Sequence, residues 1–156
     1  MMQLTSLAEW NCSVAKTLDV VGEWWTLLIL RDAFDGKRRF DDFHASLGMA
    51  RSVLTARLKK LTDSGVLERS RYSEHPPRYE YELTEAGQEL RGVLTALRAW
   101  GDRWMVDTPP AAFDHVCGQE LDPAIVCRRC GAEVGPGELT VRVLTPGWTR
   151  QGPVTA

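Results

Sequence analysis

Apolar positions recur at spacings of three and four over most of the first hundred residues and alternate clearly in one short window only. Val14, Leu18 and Val21 share a face and predict a first helix from Asn11 or Cys12 to about Val21, ended by Gly22. The stretch WWTLLILRDAF, from Trp24 to Phe34, is apolar on all sides and predicts a helix buried against its neighbours. Asp35-Gly36 then reads as a turn. Phe40, Phe43 and Leu47 mark a short third helix, and Gly48 suits a tight turn because glycine takes positive φ without penalty. The fourth helix turns Val53, Leu54, Leu58 and Leu61 inward and displays Arg51, Ser52, Thr55, Arg57, Lys59 and Lys60. Gly65 ends it near a C′ position.

Val66 to Tyr72 and Arg78 to Leu83 read as strands; the second places Tyr79, Tyr81 and Leu83 on one side and Arg78, Glu80 and Glu82 on the other. Pro76-Pro77 cannot extend a ladder, so Ser73 to Pro77 is expected to be the tip of a hairpin. Thr84 is a good N-cap for a long helix reaching about Trp104, with Leu90, Val93, Leu94, Leu97, Trp100 and Trp104 in one stripe. Such a stripe exceeds what one small domain readily covers, and part of it is expected in a dimer interface. Helix, tight turn, helix and basic hairpin is the order of a winged helix-turn-helix. The fold class is therefore mainly α with a small β-hairpin (α+β), with a long dimerisation helix and a small Cys-containing C-terminal extension. The expected division is an N-terminal tail (1–11), the winged helix-turn-helix domain (12–106), the extension (107–144) and a flexible tail (145–156) rich in Gly, Pro and Thr.

Charge changes the picture. The chain carries a net −2, yet between Lys37 and Arg78 ten Lys and Arg face five carboxylates, a local +5 that leaves −7 for the remainder. Contact with phosphates depends on local positive surface rather than on the total. The second helix of a helix-turn-helix directs its leading residues at base edges. Arg51, Ser52 and Thr55 hold that place; arginine pairs bidentately with guanine, and hydroxyls serve bases or phosphates. Arg57, Lys59 and Lys60 are expected on phosphates, and Arg69, Arg71 and Arg78 of the hairpin on the adjacent groove or backbone. Some of these arginines are expected only to cover apolar surface with their stems.

The residues GEWWTLLILRDAFDGKRRFDDF from Gly22, VLTARLKKLTDSGVLERSRYSEHPPRYEYELTEAGQEL from Val53 and Trp100-Gly101 resemble the HxlR-type winged-helix regulators, a family related to the MarR group. The resemblance spans about residues 12 to 105 and includes Cys12. It implies a homodimer whose first and last long helices form most of the interface, acting on paired half-sites of double-stranded DNA. The family often has serine where Ala50 stands; alanine is the poorer N-cap by ~1 kcal/mol. Several members sense oxidants or electrophiles through a cysteine at the position of Cys12. With Asn11 as cap, Cys12 would lie in the first helical turn, where the macrodipole favours a thiolate and Lys16 adds positive charge. Equally, a cysteine there simply packs at an interface.

The remaining cysteines cluster as His115-Val-Cys117-Gly and Cys127-Arg-Arg-Cys130-Gly. His115, Cys117, Cys127 and Cys130 are candidate ligands of a closed structural zinc site in a zinc-ribbon-like extension. The H-x-C spacing is tighter than usual, and CxxC also serves as a redox pair, although no thioredoxin-like pattern surrounds it. A packed hairpin with reduced thiols is the third option.

No nucleophile-base constellation or phosphate-cradling glycine loop is present, and His44 and His75 read as surface residues, so an enzyme is not expected. At 44% hydrophobic and 26% charged residues the composition is that of an ordinary globular protein. No apolar run approaches the ~20 residues of a membrane span, and MMQLTSLAEWN lacks the pattern of a secretory signal. A cytoplasmic protein without membrane contact follows by default. The expected function is a sequence-specific DNA-binding transcriptional regulator, a repressor that acts as a homodimer on a pseudo-palindromic operator. An oxidant or small molecule is its expected signal. The alternative is a winged-helix protein-protein interaction module.

Overall fold

The computed structural model describes residues 10, 12–144, 148–149 and 152–153. The element order is α1 (Ser13–Val21), α2 (Trp24–Phe34), α3 (Phe40–Leu47), α4 (Arg51–Asp63), β1 (Leu67–Ser73), β2 (Arg78–Leu83) and α5 (Glu85–Trp104). The expected helix-turn-helix and hairpin are thus present in the expected order. Contacts divide the described residues into a first unit up to Arg91, which takes in 148–149 and 152–153, and a second from Gly92 to Leu144.

In the first unit the core is built from Ile29 and Leu30 of α2, Phe43 of α3, Leu54, Leu58 and Leu61 of α4, and Leu67 at the start of β1, all nearly inaccessible to water. Full burial of each such side chain contributes about 1.5–3 kcal/mol. Val53, expected inward, is half-buried at the flank. The apolar helix α2 is not buried all round: Thr26, Ile29, Leu30 and Asp32 are inside, whereas Trp24 is 83% exposed. A core this small faces one stripe of a helix, and the rest of its apolar surface stays outside. Asp32 is the unexpected interior residue. Its Oδ1 accepts hydrogen bonds from Arg31 Nε at 3.0 Å and Nη2 at 2.7 Å, with Lys37 Nζ 3.7 Å away.

Two departures concern helix and strand ends. Helix α1 begins one residue later than expected, so Cys12 is itself the N-cap, in extended conformation and without a side-chain capping bond. Its carbonyl accepts the Lys16 amide at 3.0 Å. Asn11 and residues 1–9 of the expected tail lie outside the described residues. The hairpin pairs Leu67 with Leu83 through Arg71 with Tyr79, shifts register at Tyr72, and turns over residues 74–77. It also gains a third edge that the sequence did not reveal. Arg39 bridges Glu80, and the Tyr81 amide donates to the Arg38 carbonyl at 2.7 Å.

Thr84 caps α5 as expected: the Gly87 amide donates to its Oγ1 at 3.1 Å, and the hydroxyl donates in turn to the Gly65 carbonyl at 2.6 Å. Gly87 is buried against the Val66 carbonyl. In the second unit, two small hairpins follow one another, closed around the bridges Asp114–Glu120 and Val126–Glu133. Within the segment expected to be flexible, Trp148–Thr149 (β3) pairs with Gly152–Pro153 (β4); residues 145–147, 150–151 and 154–156 lie outside the described residues.

Candidate nucleic-acid interface

Gly48 closes α3 at φ 63°, donating its amide to the His44 carbonyl at 3.0 Å, and this left-handed residue turns the chain sharply into α4. Helix α4 then starts from Ala50 with no side-chain cap and no acidic residue in its first turn. Arg51, Ser52 and Thr55 are all exposed on its leading half. The Thr55 hydroxyl donates to the Arg51 carbonyl at 2.8 Å, which leaves its lone pairs outward. Arg51 does not wave freely: Nη2 donates to Asp41 Oδ1 at 3.1 Å, and its guanidinium lies over the Phe40 ring at 4.7 Å.

A groove of about 560 Å³ runs between α3 and the start of α4 on one side and the hairpin on the other. Arg39, Arg51, Thr55, Arg69 and Arg78 line it together with Phe40, Tyr72 and Tyr79, and the carboxylates of Asp41 and Asp42 stand at the same groove. Three of these arginines rest on aromatic rings: Arg51 on Phe40, Arg39 on Tyr72 at 4.6 Å, and Arg69 on Tyr79 at 3.5 Å. The Arg39 Nε hydrogen bond to Glu80, 2.9 Å long, holds that guanidinium even more firmly protonated, with Tyr72 adding to the effect. Cations spaced by planar rings, at the junction of helix and hairpin, offer hydrogen-bond forks to a polyanion while keeping their orientation.

Of the nine residues expected to touch DNA, the structure gathers Arg51, Thr55, Arg69 and Arg78 around this groove. Ser52 and Lys59 point outward on α4, with Lys59 paired to Asp63. Arg57 and Lys60 go elsewhere. Arg57 is largely buried, with Nη2 3.3 Å from Glu23, and Lys60 Nζ stands 3.7 Å from Asp19. Both lie on the flank of α4 turned toward α1 and the start of α2, because Glu23 and Asp19 await them there. Arg71 is spent on the hairpin tip, donating to the Ser73 and Glu74 carbonyls and pairing with the Glu74 carboxylate. Sequence reasoning missed Arg39, Phe40, Asp41, Tyr72 and Tyr79 as members of the site. Phe40 shares helical spacing with Phe43 and so reads as core, although it serves as the platform for Arg51.

The other expected sites are placed as follows. Cys12 is half-buried, and as cap residue it sits outside the first helical turn. In the long helix, Val93, Leu97, Trp100 and Trp104 are all at least half exposed, while Leu90 and Leu94 are partly covered. The four expected metal ligands are not gathered: among the described residues no group of three or more His, Cys, Asp or Glu is arranged to hold a metal ion. His115 Nδ1 instead accepts the Cys117 amide at 3.3 Å, and Cys127 and Cys130 close their own hairpin turn. The amides of Arg129 and Cys130 and the Cys130 thiol hydrogen-bond the Cys127 sulfur and lower the pKa of its thiol. Among the described residues no helix is long and apolar enough to cross a membrane.

The chain is 43% identical over 137 residues to an HTH-type transcriptional regulator of Mycobacterium tuberculosis, which covers 86% of this chain and 84% of that one. Among solved structures it is similar to PA1607, described as a candidate transcription factor, with a TM-score of 0.74 and 33% identity over 86% of this chain and 96% of that one. It is also similar to the redox regulator HypR in its reduced form, with a TM-score of 0.56 and 33% identity over 59% of this chain and 92% of that one. The sequence profile of the HxlR-like helix-turn-helix proteins matches residues 20–109, which take in α2 through α5, and the chain belongs to that family.

Proposed function

We propose that this regulator is a sequence-specific DNA-binding repressor that works as a homodimer on paired half-sites. The observation that carries this reading is the single groove at which Arg51 and Thr55 of α4 meet Arg69 and Arg78 of the hairpin. A helix laid in the major groove puts Arg51, Ser52 and Thr55 against base edges, while the hairpin arginines and Lys59 hold phosphates. Dimerisation is supported by the apolar side chains left outside: Val14, Leu18 and Trp24 in the first unit, Leu97, Trp100 and Trp104 in the second. Patches of that kind mark association surfaces. A thiol signal through Cys12 is part of the proposal, supported by its partial exposure and by the likeness to a redox regulator.

The test is fluorescence anisotropy of the reduced protein with DNA from its own upstream region, at several salt concentrations, before and after mild oxidation. Saturable binding is expected, with a linear fall of log affinity against log salt. Arg51→Ala is expected to lose about 1–3 kcal/mol of discrimination between the preferred and unrelated duplexes, and Lys59→Ala to weaken all duplexes alike and lower the salt slope by about one. Equal loss of discrimination in both variants would undo that division of roles. Binding lost on oxidation in the wild type but retained in Cys12→Ser supports the thiol signal; indifference to oxidation removes it. If no duplex is retained from a pool of genomic fragments while the dimer persists, the fold serves protein-protein contact instead.

A further inference from the structure

We infer that Asp41 and Phe40 together hold Arg51 in the pose that reads one guanine in each half-site, so that Asp41, one helix away from the bases, is a positioning residue for sequence recognition. The inference rests on the DNA-binding function proposed above. Its ground is the geometry of the two restraints. Arg51 Cζ lies over the Phe40 ring, 4.7 Å from its centroid, and Asp41 Oδ1 accepts a hydrogen bond from Nη2 at 3.1 Å. A cation over an aromatic ring is held by the ring's electron density rather than by a hydrogen-bond acceptor, so the ring steadies the fork without supplying a partner that competes with guanine. Asp41 engages one of the five N–H groups, and enough remain in the plane for the O6 and N7 acceptors of guanine.

The stability of the fold does not account for this arrangement. Both side chains are well exposed, 63% for Arg51 and 83% for Asp41, and exposed pairs of this kind add little. A cation in the first turn of a helix opposes the macrodipole, and α4 offers no acidic residue there to offset it. A carboxylate beside a DNA-binding groove repels phosphates as well. Asp41 lies in the first turn of α3, where a carboxylate favours that helix whichever way it points; what its bond to Arg51 adds is orientation. Long side chains lose considerable rotamer freedom on binding, and a fork restrained beforehand loses less.

The test uses the full-length protein and a duplex enriched by the wild type from a random pool, with each guanine replaced singly by 7-deazaguanine, which lacks N7. For the wild type, one replacement per half-site is expected to weaken binding about tenfold, the scale of a bidentate arginine contact. In Asp41→Ala the same replacement should cost about twofold or less, while affinity for unrelated duplexes stays equal or rises. Phe40→Leu should shrink the penalty in the same direction, with circular dichroism checking its fold; the exposed position of Asp41 makes its variant the primary readout. An undiminished penalty in Asp41→Ala overturns the inference and leaves the DNA function standing. So does a uniform gain in affinity for all duplexes, which would make Asp41 a source of repulsion only, or an enriched duplex in which no guanine is sensitive. Failure to enrich any duplex overturns the DNA function and this inference with it.

Discussion

A side chain at position 87 has nowhere to go. A Cβ built on Gly87 would lie 2.2 Å from the Val66 carbonyl oxygen and 3.1 Å from Leu83 Cδ2. Backbone stands in the way, so relief requires α5 to shift from the strand base. Gly87→Ala is expected to lower stability by about 1–3 kcal/mol, read as a lower urea midpoint at unchanged slope; an unchanged midpoint would mean that the helix start yields freely. Cys127 allows a second residue-level prediction. Hydrogen bonds to its sulfur, led by the Arg129 amide and followed by the Cys130 amide and thiol, lower its pKa. The thiolate therefore persists in the folded chain at pH values where it is already protonated in the unfolded one. Alkylation of Cys127 by iodoacetamide is expected to remain faster in the folded protein than in urea as pH falls below the usual thiol range. Equal rates in both states across that range would refute the effect.

Among the elements, α4 is the one that breaks its own local rules. It begins from an alanine cap with an arginine as its first residue, and the Asp41 carboxylate, borrowed from α3, answers that charge. Such violations concentrate at functional sites. Ala50→Ser is expected to raise stability by about 1 kcal/mol through a hydroxyl that accepts a free amide of the first turn, measured by thermal unfolding; no gain would show that the cap geometry at position 50 is unsuitable. The elements themselves were largely legible in the sequence. Spacing at three and four predicted α1, α3, α4 and α5, and a continuous apolar run predicted α2; Thr84 stands as cap, and Gly48 and Gly65 take the positive φ that a turn demands. What stayed hidden depends on partners distant along the chain. Arg57 and Lys60 look like their neighbour Lys59 in sequence, and only folding brings Glu23 and Asp19 beside them. Likewise, nothing local marks Arg39 as the third edge of the hairpin. The all-round burial expected of α2 was not met, because an apolar composition does not say which stripe meets a core, and Trp24 ended outside.

At the scale of the whole molecule, the open question is what covers the apolar side chains that folding leaves in water. Leu97 and Trp100 are 50% and 54% exposed on one helix, with Trp104 one turn further at 60%. A second copy of the chain is the proposed cover. Leu97→Glu or Trp100→Glu is expected to convert a dimer into monomers in sedimentation velocity and to abolish tight binding to a two-half-site duplex. Far-UV circular dichroism should change little, because neither side chain belongs to the core. A dimer that survives both substitutions would place the interface elsewhere.

The hydroxyl of Thr84 ties these scales together. It donates to the carbonyl of Gly65, where α4 has ended, approaches that of Val66, just before β1, and accepts the amide of Gly87 in the first turn of α5. Three elements thus meet at one rivet rather than at a hinge. One side chain both caps a helix and ties it to the chain leaving α4, so a change that removes the hydroxyl is felt at the ends of three elements at once. Replacing the hydroxyl, as in Thr84→Val, removes both the cap and the tie and leaves only the backbone bond from the Thr84 amide to the Val66 carbonyl.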